Sequence, residues 1–203
     1  MKFYTLVLFF LFTISTYAQS SKFEWGAQLG AGFSELRDAP EPENSIIGGV
    51  LGLTFQYNMN RMFSIHSNIA VERKGTELPG SDWQCANCPH EGAAIQLDYV
   101  TVPVLARFNF GSKARFFANT GPYVGYLINY EWIDTRFDYG WVTGLGGQMD
   151  ITQKTVLSLE VRNSYGLAPI TAGNSEFENG RYNNSLNLLL GVAFRLGNQK
   201  TTE

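Results

Sequence analysis

Residues 185–196 read SLNLLLGVAFRL, and large apolar side chains occupy every second position of this stretch. Successive side chains of a β-strand point to opposite faces, so alternate residues share a face. One face is apolar throughout and consists of Leu186, Leu188, Leu190, Val192, Phe194 and Leu196. The other is mixed and consists of Asn187, Leu189, Gly191, Ala193 and Arg195. The alternation predicts a strand with one strongly apolar face.

The same alternation recurs along the chain, separated by polar or glycine-containing breaks, and no segment of any length shows the helical period of 3.6 residues. Seven earlier segments follow it, namely 24–34, 46–58, 62–74, 100–110, 116–130, 139–150 and 157–162. Together with residues 185–196 they predict an all-β protein with eight strands.

The connections between these segments alternate in length. Three are tight, at 58–61, 111–115 and 150–154. Four are long, at about 36–45, 75–94, 131–138 and 167–182. Short turns at one rim and long loops at the other are typical of outer-membrane barrels. The pattern therefore predicts an eight-stranded antiparallel up-and-down transmembrane β-barrel.

The N-terminus has the organisation of an export signal. Lys2 precedes an apolar run over residues 3–14, followed by small residues that end at Ala18. The run is short for a helix that must cross ~30 Å of hydrocarbon, and no stop-transfer pattern follows it, which disfavours an uncleaved anchor. We expect cleavage after Ala18, a barrel domain over 19–203, and a flexible tail over 197–203.

The composition also favours a membrane location. Charged residues make up 16% of the chain and aromatic residues 14%, with 21 glycines, whereas soluble domains average about 25% charged residues. The formal net charge of −3 argues against nucleic acid as a partner.

The polar faces carry few charges, of both signs, which is unusual for a surface that meets water. We therefore expect them to line the barrel interior as a polar network of His66, Glu72, Arg107, Glu160, Arg162 and Arg195. Gln28, Gln56 and Asn119 share these faces. We expect Glu72 and Glu160 to accept hydrogen bonds from the guanidinium groups. Thr143 and Asn163 fit poorly on the predicted lipid face, and we expect a β-bulge there.

Aromatic side chains gather toward the ends of the apolar faces. Those near the tight turns include Trp25, Tyr57, Phe108, Phe110 and Phe194, and those near the long loops include Tyr130, Trp132 and Trp141. Two aromatic girdles indicate two membrane interfaces. The alternative is that these are core aromatics of a soluble periplasmic barrel that carries an apolar ligand, as lipocalins do.

Few residues suggest chemistry. Cys85 and Cys88 form a C-A-N-C motif, and in an exported chain the expected outcome is a disulfide between them. A thioredoxin-like site would need a βαβ setting, and a zinc site would need two further ligands, of which only His90 is nearby. Ser64, His66 and Glu72 share a face, which leaves a lipid hydrolase as a third hypothesis. No catalytic residue, metal site or cofactor is otherwise indicated.

Five segments together carry a family resemblance, namely YVTVPVLARFNFG (99–111), GPYVGYLINY (121–130), DYGWVTGLGGQMD (138–150), LSLEVRNSYGLAPI (157–170) and NLLLGVAFRL (187–196). They resemble the PorT-like outer-membrane β-barrel family of Bacteroidetes. The resemblance implies an outer-membrane barrel and no shared reaction. We therefore expect a non-enzymatic barrel with a side-chain-filled lumen, in contact with outer-membrane lipids, whose outer loops bind an extracellular or envelope protein partner.

Overall fold

Eight antiparallel strands close into one barrel in the computed structural model, which describes residues 22–38, 44–77, 94–111, 114–129, 135–170 and 180–196. The strands are β1 (Phe23–Arg37), β2 (Asn44–Asn58), β3 (Phe63–Glu77), β4 (Ala94–Phe110), β5 (Ala114–Leu127), β6 (Phe137–Asp150), β7 (Thr155–Gly166) and β8 (Tyr182–Leu196). Each strand pairs with the next, and β8 closes onto β1. The predicted number and arrangement of strands are confirmed. Within these ranges no helix is both long and apolar enough to cross a membrane.

Seven of the eight strands extend past their predicted boundaries at the loop end, whereas β5 ends at Leu127 and not at residue 130 as predicted. Along the β1–β8 seam the register runs without interruption from Phe23 opposite Leu196 to Arg37 opposite Tyr182. A Cβ atom on Gly26 would lie 2.0 Å from the carbonyl oxygen of Val192. Glycine therefore permits the close strand approach that closes the barrel.

The outside of the barrel is apolar and the inside is polar. Leu51 on the outer face is 66% exposed, whereas the inward Glu160 is 5% exposed. Water-soluble barrels have the opposite arrangement, because they place charged side chains in water and apolar ones inside. The two faces therefore suit a surrounding of lipid.

The apolar outer band begins at the tight-turn end of the barrel. On β1 every outward residue from Phe23 to Phe33 is apolar, and Glu35 is the first polar one. On β2, β4 and β8 the band likewise ends at the loop side, and the first polar outward residues there are Ser45, Asp98 and Asn184. Since about 9–11 tilted residues span a bilayer, these strands extend beyond the band only at the loop end.

Aromatic side chains mark both edges of this band. Three outward pairs lie near the tight turns, with ring centroids 5.1–5.6 Å apart, namely Phe23–Tyr57, Trp25–Phe194 and Phe63–Phe108. Phe110 is also outward and exposed at this edge. Tyr126 and Phe137 pack edge to face at the loop side, where Trp141 also points outward. Tyr130 and Trp132 of the predicted loop-side girdle lie outside the described residues.

The expectation of a bulge near Asn163 is wrong. The β6–β7 register is continuous there, with Thr143 opposite Asn163. The outward Asn163 amide instead donates to Asn184 Oδ1 and to the carbonyl oxygen of Ser185, both at 3.1 Å. Because the amide nitrogen has hydrogen-bond acceptors on the outer face, Asn163 can lie on the apolar side of the barrel without a register shift. The register does shift in β2, between Ser45 and Val50.

Three sequence predictions fall outside the described residues. They concern the export signal over 1–18, the disulfide between Cys85 and Cys88, and the tail over 197–203.

Candidate functional site

A charged cluster lies in the middle of the barrel interior. Glu160 Oε1 accepts a hydrogen bond from Arg162 Nε at 2.7 Å. Its other oxygen, Oε2, accepts from Arg162 Nη2 at 3.1 Å and from Arg107 Nη2 at 3.3 Å. A Cβ atom on Gly144 would lie 2.7 Å from Glu160 Oε1. The glycine on the neighbouring strand therefore leaves room for the carboxylate.

Amide side chains extend this central cluster. Arg107 donates from Nε to Asn119 Oδ1 and from Nη1 to Gln56 Oε1, both at 2.8 Å. Its guanidinium also lies 4.0 Å from the ring centroid of Phe117, in cation–π geometry. Arg162 donates from Nη1 to Asn68 Oδ1 at 2.9 Å. The network links strands that are not neighbours in the sheet.

A second group of charges lies toward the tight-turn rim. Arg195 Nε donates to Glu24 Oε1 at 3.1 Å, and Arg195 Nη2 donates to Asp150. Asp150 also accepts from Arg115 Nη2 at 2.9 Å. Because Asp150 is 39% exposed at its side chain, this group forms the wet edge of the network.

A third group lies toward the loop end, around the ammonium of Lys74, which is fully buried. Lys74 Nζ lies 3.2 Å from Asp138 Oδ2 and 3.8 Å from Glu72 Oε2. It also lies 4.6 Å from the ring centroid of Tyr123 and 5.5 Å from that of Tyr99. A buried ammonium is tolerated when carboxylates and aromatic faces replace its hydration.

Apolar side chains close the loop side of this third group. They are Leu36, Leu97, Tyr99, Leu127 and Ile170, all 5% exposed or less. The phenol of Tyr123 donates to Asp138 Oδ2 at 2.9 Å, and Asn183 donates to the same oxygen at 3.0 Å. The described side chains thus fill the lumen from rim to rim.

All six residues of the expected interior network face inward, but their partners differ in part from expectation. Glu160 contacts two guanidinium groups, whereas Glu72 lies beside Lys74 and accepts from Ser185 and Asn187. Sequence reasoning missed Glu24, Lys74 and Asp138 as members. Strand parity could have identified two of them, because residues an even number apart on a strand share a face. Lys74 is two residues from the inward Glu72, and Glu24 is four residues from the inward Gln28. Asp138 lay inside a predicted loop.

The interior also bears on the hydrolase hypothesis. Ser64 Oγ donates to Asn58 Oδ1 at 2.8 Å, and neither ring nitrogen of His66 has a hydrogen-bond partner among the described residues. The hydrogen bonds of a Ser–His–acid triad are therefore not formed in this part of the chain. The described ranges also hold no group of three or more His, Cys, Asp or Glu side chains placed to bind a metal.

Among the cavities between the described inward side chains, two measure about 30 and 20 Å³. Cavities of this size hold one or two water molecules, whereas pockets for small organic ligands measure roughly 300–1,000 Å³. Both linings include buried charged side chains, which are Glu24, Arg107 and Glu160 in the larger cavity and Glu72 and Arg162 in the smaller one. The interior thus disfavours the alternative of a soluble carrier with an apolar pocket.

Known proteins share this architecture. A family model described as "Outer membrane protein beta-barrel domain" matches residues 17–172. OprG from Pseudomonas aeruginosa is 11% identical, with a TM-score of 0.58 over 90% of this chain and 100% of that chain. Neisserial surface protein A is 13% identical, with a TM-score of 0.55 over 87% and 98%.

The N-terminal β-barrel domain of Pseudomonas aeruginosa OprF is 12% identical, with a TM-score of 0.52 over 86% of this chain and 97% of that chain. At identities this low, the structural similarity is evidence for a shared fold and for nothing beyond it. No curated protein matches the sequence.

Proposed function

Because this chain belongs to the outer membrane protein beta-barrel domain family, and its barrel is integral to the outer membrane, we propose that it acts through its loop-bearing end and not as a diffusion pore. The observation that carries the proposal is the filled lumen. The clusters around Lys74, Glu160 and Arg195 occupy it at three successive levels. Eight strands enclose a space that side chains can fill, whereas open channels need about sixteen.

The outer band supports an outward orientation of the loops. Strands β1, β2, β4 and β8 overshoot the apolar band at the loop end, as expected for barrels with long extracellular loops and short periplasmic turns. The tight-turn end also bears the basic residues Arg61, Arg115 and Lys154.

The charge of the loops supports a partner with a basic surface. The four loop segments 39–43, 78–93, 130–134 and 171–179 contain no Lys or Arg. Their acidic residues are Glu41, Glu43, Asp82, Glu91, Glu131, Asp134, Glu176 and Glu178. They also contain Trp83, Trp132 and Phe177, and aromatic side chains frequently anchor protein interfaces. The proposed role is non-enzymatic binding or adhesion to an extracellular or envelope protein.

Two measurements test this proposal. Purified protein in planar bilayers should give no stable conductance of porin size, and an open channel would overturn the filled-lumen interpretation. An epitope tag next to Asn174 should be accessible to antibody on intact cells, whereas a tag next to Lys154 should need permeabilisation. The reverse pattern would place the loops in the periplasm.

The acidic loops can then be tested directly. A variant with Glu131, Asp134, Glu176 and Glu178 changed to the corresponding amides should lose binding to a basic protein surface such as immobilised histone. The periplasmic turns do not offer four acidic residues for a matched control variant. The control is therefore wild-type protein at high salt, which screens exposed charges. Unchanged binding in the amide variant would contradict the charge argument.

Two narrower points stay predictions. Export with cleavage after Ala18 predicts a mature N-terminus at Gln19, which N-terminal sequencing would check. Membership of the PorT-like family of Bacteroidetes stays a prediction from the resemblance, which implies no particular role.

A further inference from the structure

Three polar side chains interrupt the apolar outer band on β5, β6 and β7. They are Thr120, Thr143 and Asn163, and all three point outward. Thr143 pairs with Thr120 on one side and with Asn163 on the other, so the three form one row across the strands. We call them the polar row. The other outward residues of β6 are aromatic toward the loops and apolar toward the tight turn, namely Phe137, Tyr139 and Trp141, then Leu145, Gly147 and Met149. The polar row therefore lies inside the lipid-facing band.

The polar row has hydrogen-bonding groups that the barrel does not use. The hydroxyl of Thr143 has no hydrogen-bond partner among the described residues. Thr120 Oγ1 accepts from Trp141 Nε1 at 2.9 Å, but in the described ranges no group accepts from its O–H. Asn163 donates from its amide nitrogen, whereas no described donor reaches its Oδ1. Two donors and several acceptors thus face lipid.

The barrel does satisfy a comparable hydroxyl elsewhere in the band. Ser67 also points outward, on β3, and its Oγ donates to the carbonyl oxygen of Pro103 on β4 at 2.7 Å. The hydrocarbon of a bilayer offers no water to a polar group, so a hydroxyl left unpaired there is unfavourable. The hydrogen-bonding partner that the barrel supplies to Ser67 must therefore come to Thr143 from another molecule in the membrane.

A second copy of this chain has the chemistry that the polar row needs. Two copies inserted in the same direction are related by a two-fold axis along the bilayer normal, and such an interface uses the same surface of both copies. A threonine hydroxyl both donates and accepts, so Thr143 can bond to its own copy across the axis. The axis also places β5 of one copy beside β7 of the other. The side with the unused donor of Thr120 thereby faces the side with the unused acceptor of Asn163.

The side chains around Thr143 leave it accessible to a second barrel. Trp141 is its neighbour on the same face of β6, and the hydrogen bond from the indole to Thr120 draws the ring toward β5. Gly147 lies on the same face toward the tight turn, and a Cβ atom there would meet one atom of Phe116, at 4.0 Å. Small residues at a membrane interface allow two backbones to approach closely.

We propose that the barrel forms a two-fold symmetric dimer in the membrane through β6, with Thr143 of the two copies in contact at the axis. Strands β5 and β7 flank this contact on either side. The dimer removes the unpaired hydroxyls from lipid, and hydrogen bonds between the side chains of neighbouring transmembrane segments stabilise their association.

Cross-linking in lipid vesicles tests the position of the axis. The purified full-length barrel, with Cys85 and Cys88 replaced by Ser, receives Thr143→Cys, and oxidation should join two copies because a residue on the axis meets itself. Leu51→Cys in the same background is the matched control, since Leu51 also faces lipid but lies on β2, four strands from β6 and on the opposite wall. It should cross-link only at the level of random collisions. Equal cross-linking at the two positions would overturn the proposal.

A second measurement tests the role of the hydroxyl. Energy transfer between labelled copies in vesicles, followed as the protein is diluted with lipid, gives the dissociation constant of the dimer. Thr143→Val keeps the shape of the side chain and should raise this constant by about three- to tenfold. Ser67→Ala removes an outward hydroxyl that already has an acceptor and should leave the constant unchanged. Energy transfer at the random level in the wild type, or equal constants for the wild type and Thr143→Val, would refute the dimer and leave lipid or a different protein against the polar row.

Discussion

Arg107 on β4 and Glu160 on β7 meet across the lumen, with 3.3 Å between Arg107 Nη2 and Glu160 Oε2, although two strands separate β4 from β7 in the sheet. The contact therefore spans the interior and links two strands that are not hydrogen-bonded to each other. Glu160 also pairs with Arg162 on its own strand. One buried carboxylate thus holds two buried cations.

Replacement of Glu160 by Ala should strongly destabilise the barrel, because it leaves both guanidinium groups without their carboxylate. Breaking a buried pair of this kind costs about 3–5 kcal/mol, which reversible urea unfolding in detergent or lipid would measure. Asp98→Ala serves as the control, since it breaks the exposed pair with Arg73, and pairs at such sites contribute about 1 kcal/mol or less. Equal losses in the two variants would contradict a dry central cluster.

Lys74 and Asp138 should be energetically coupled. Lys74→Met leaves Glu72 and Asp138 buried together without their cation, and Asp138→Asn leaves the ammonium with one carboxylate fewer. The double variant removes both charges and should lose less stability than the sum of the two single variants, by roughly 1–3 kcal/mol. A double-mutant cycle measures this term, and strict additivity would show that the two groups act independently.

The position of the apolar band predicts where a charge is tolerated. Leu51 lies midway along the outward apolar residues of β2, and Ser45 lies beyond their loop-side end. Leu51→Arg should cost about 2–4 kcal/mol, because the guanidinium enters the bilayer midplane, whereas Ser45→Arg should cost about 0–1 kcal/mol. Folding free energies in lipid vesicles would compare the two. Similar costs would place the bilayer elsewhere on the barrel.

Cys85 and Cys88 should be joined by a disulfide in the exported protein. Oxidising compartments favour this bond, but the ring between the two cysteines is short and constrains little unfolded-chain entropy. We therefore expect mass spectrometry after non-reducing alkylation to find no free thiol. Replacement of both cysteines by Ser should leave the unfolding midpoint nearly unchanged. Two alkylated thiols in freshly purified protein would disprove the pairing.

The alternation of side chains made the barrel predictable from the sequence. In residues 185–196 and the seven similar segments, a period of two assigns each residue to a face, and the composition of the faces decides which one meets lipid. Gln28, His66, Arg107 and Glu160 could be placed inside because parity assigned them to one face and the polar composition of that face assigned it to the interior. The pairing of Arg162 with Glu160 was also within reach, because residues two apart on a strand share a face.

The tertiary structure alone decided which interior charges meet. Parity and the composition of the faces place Arg107 inside, but the barrel's closure and register determine that it reaches Glu160 on β7. The same holds for Lys74, whose partner Asp138 comes from β6, in a segment that sequence reasoning assigned to a loop. Local alternation reports the direction of each side chain. It carries no information on the distance between side chains of strands that are far apart in the sequence. The direction of each side chain, inward or outward, was therefore determined by the sequence, whereas the contacts that fill the lumen were determined by the folded barrel.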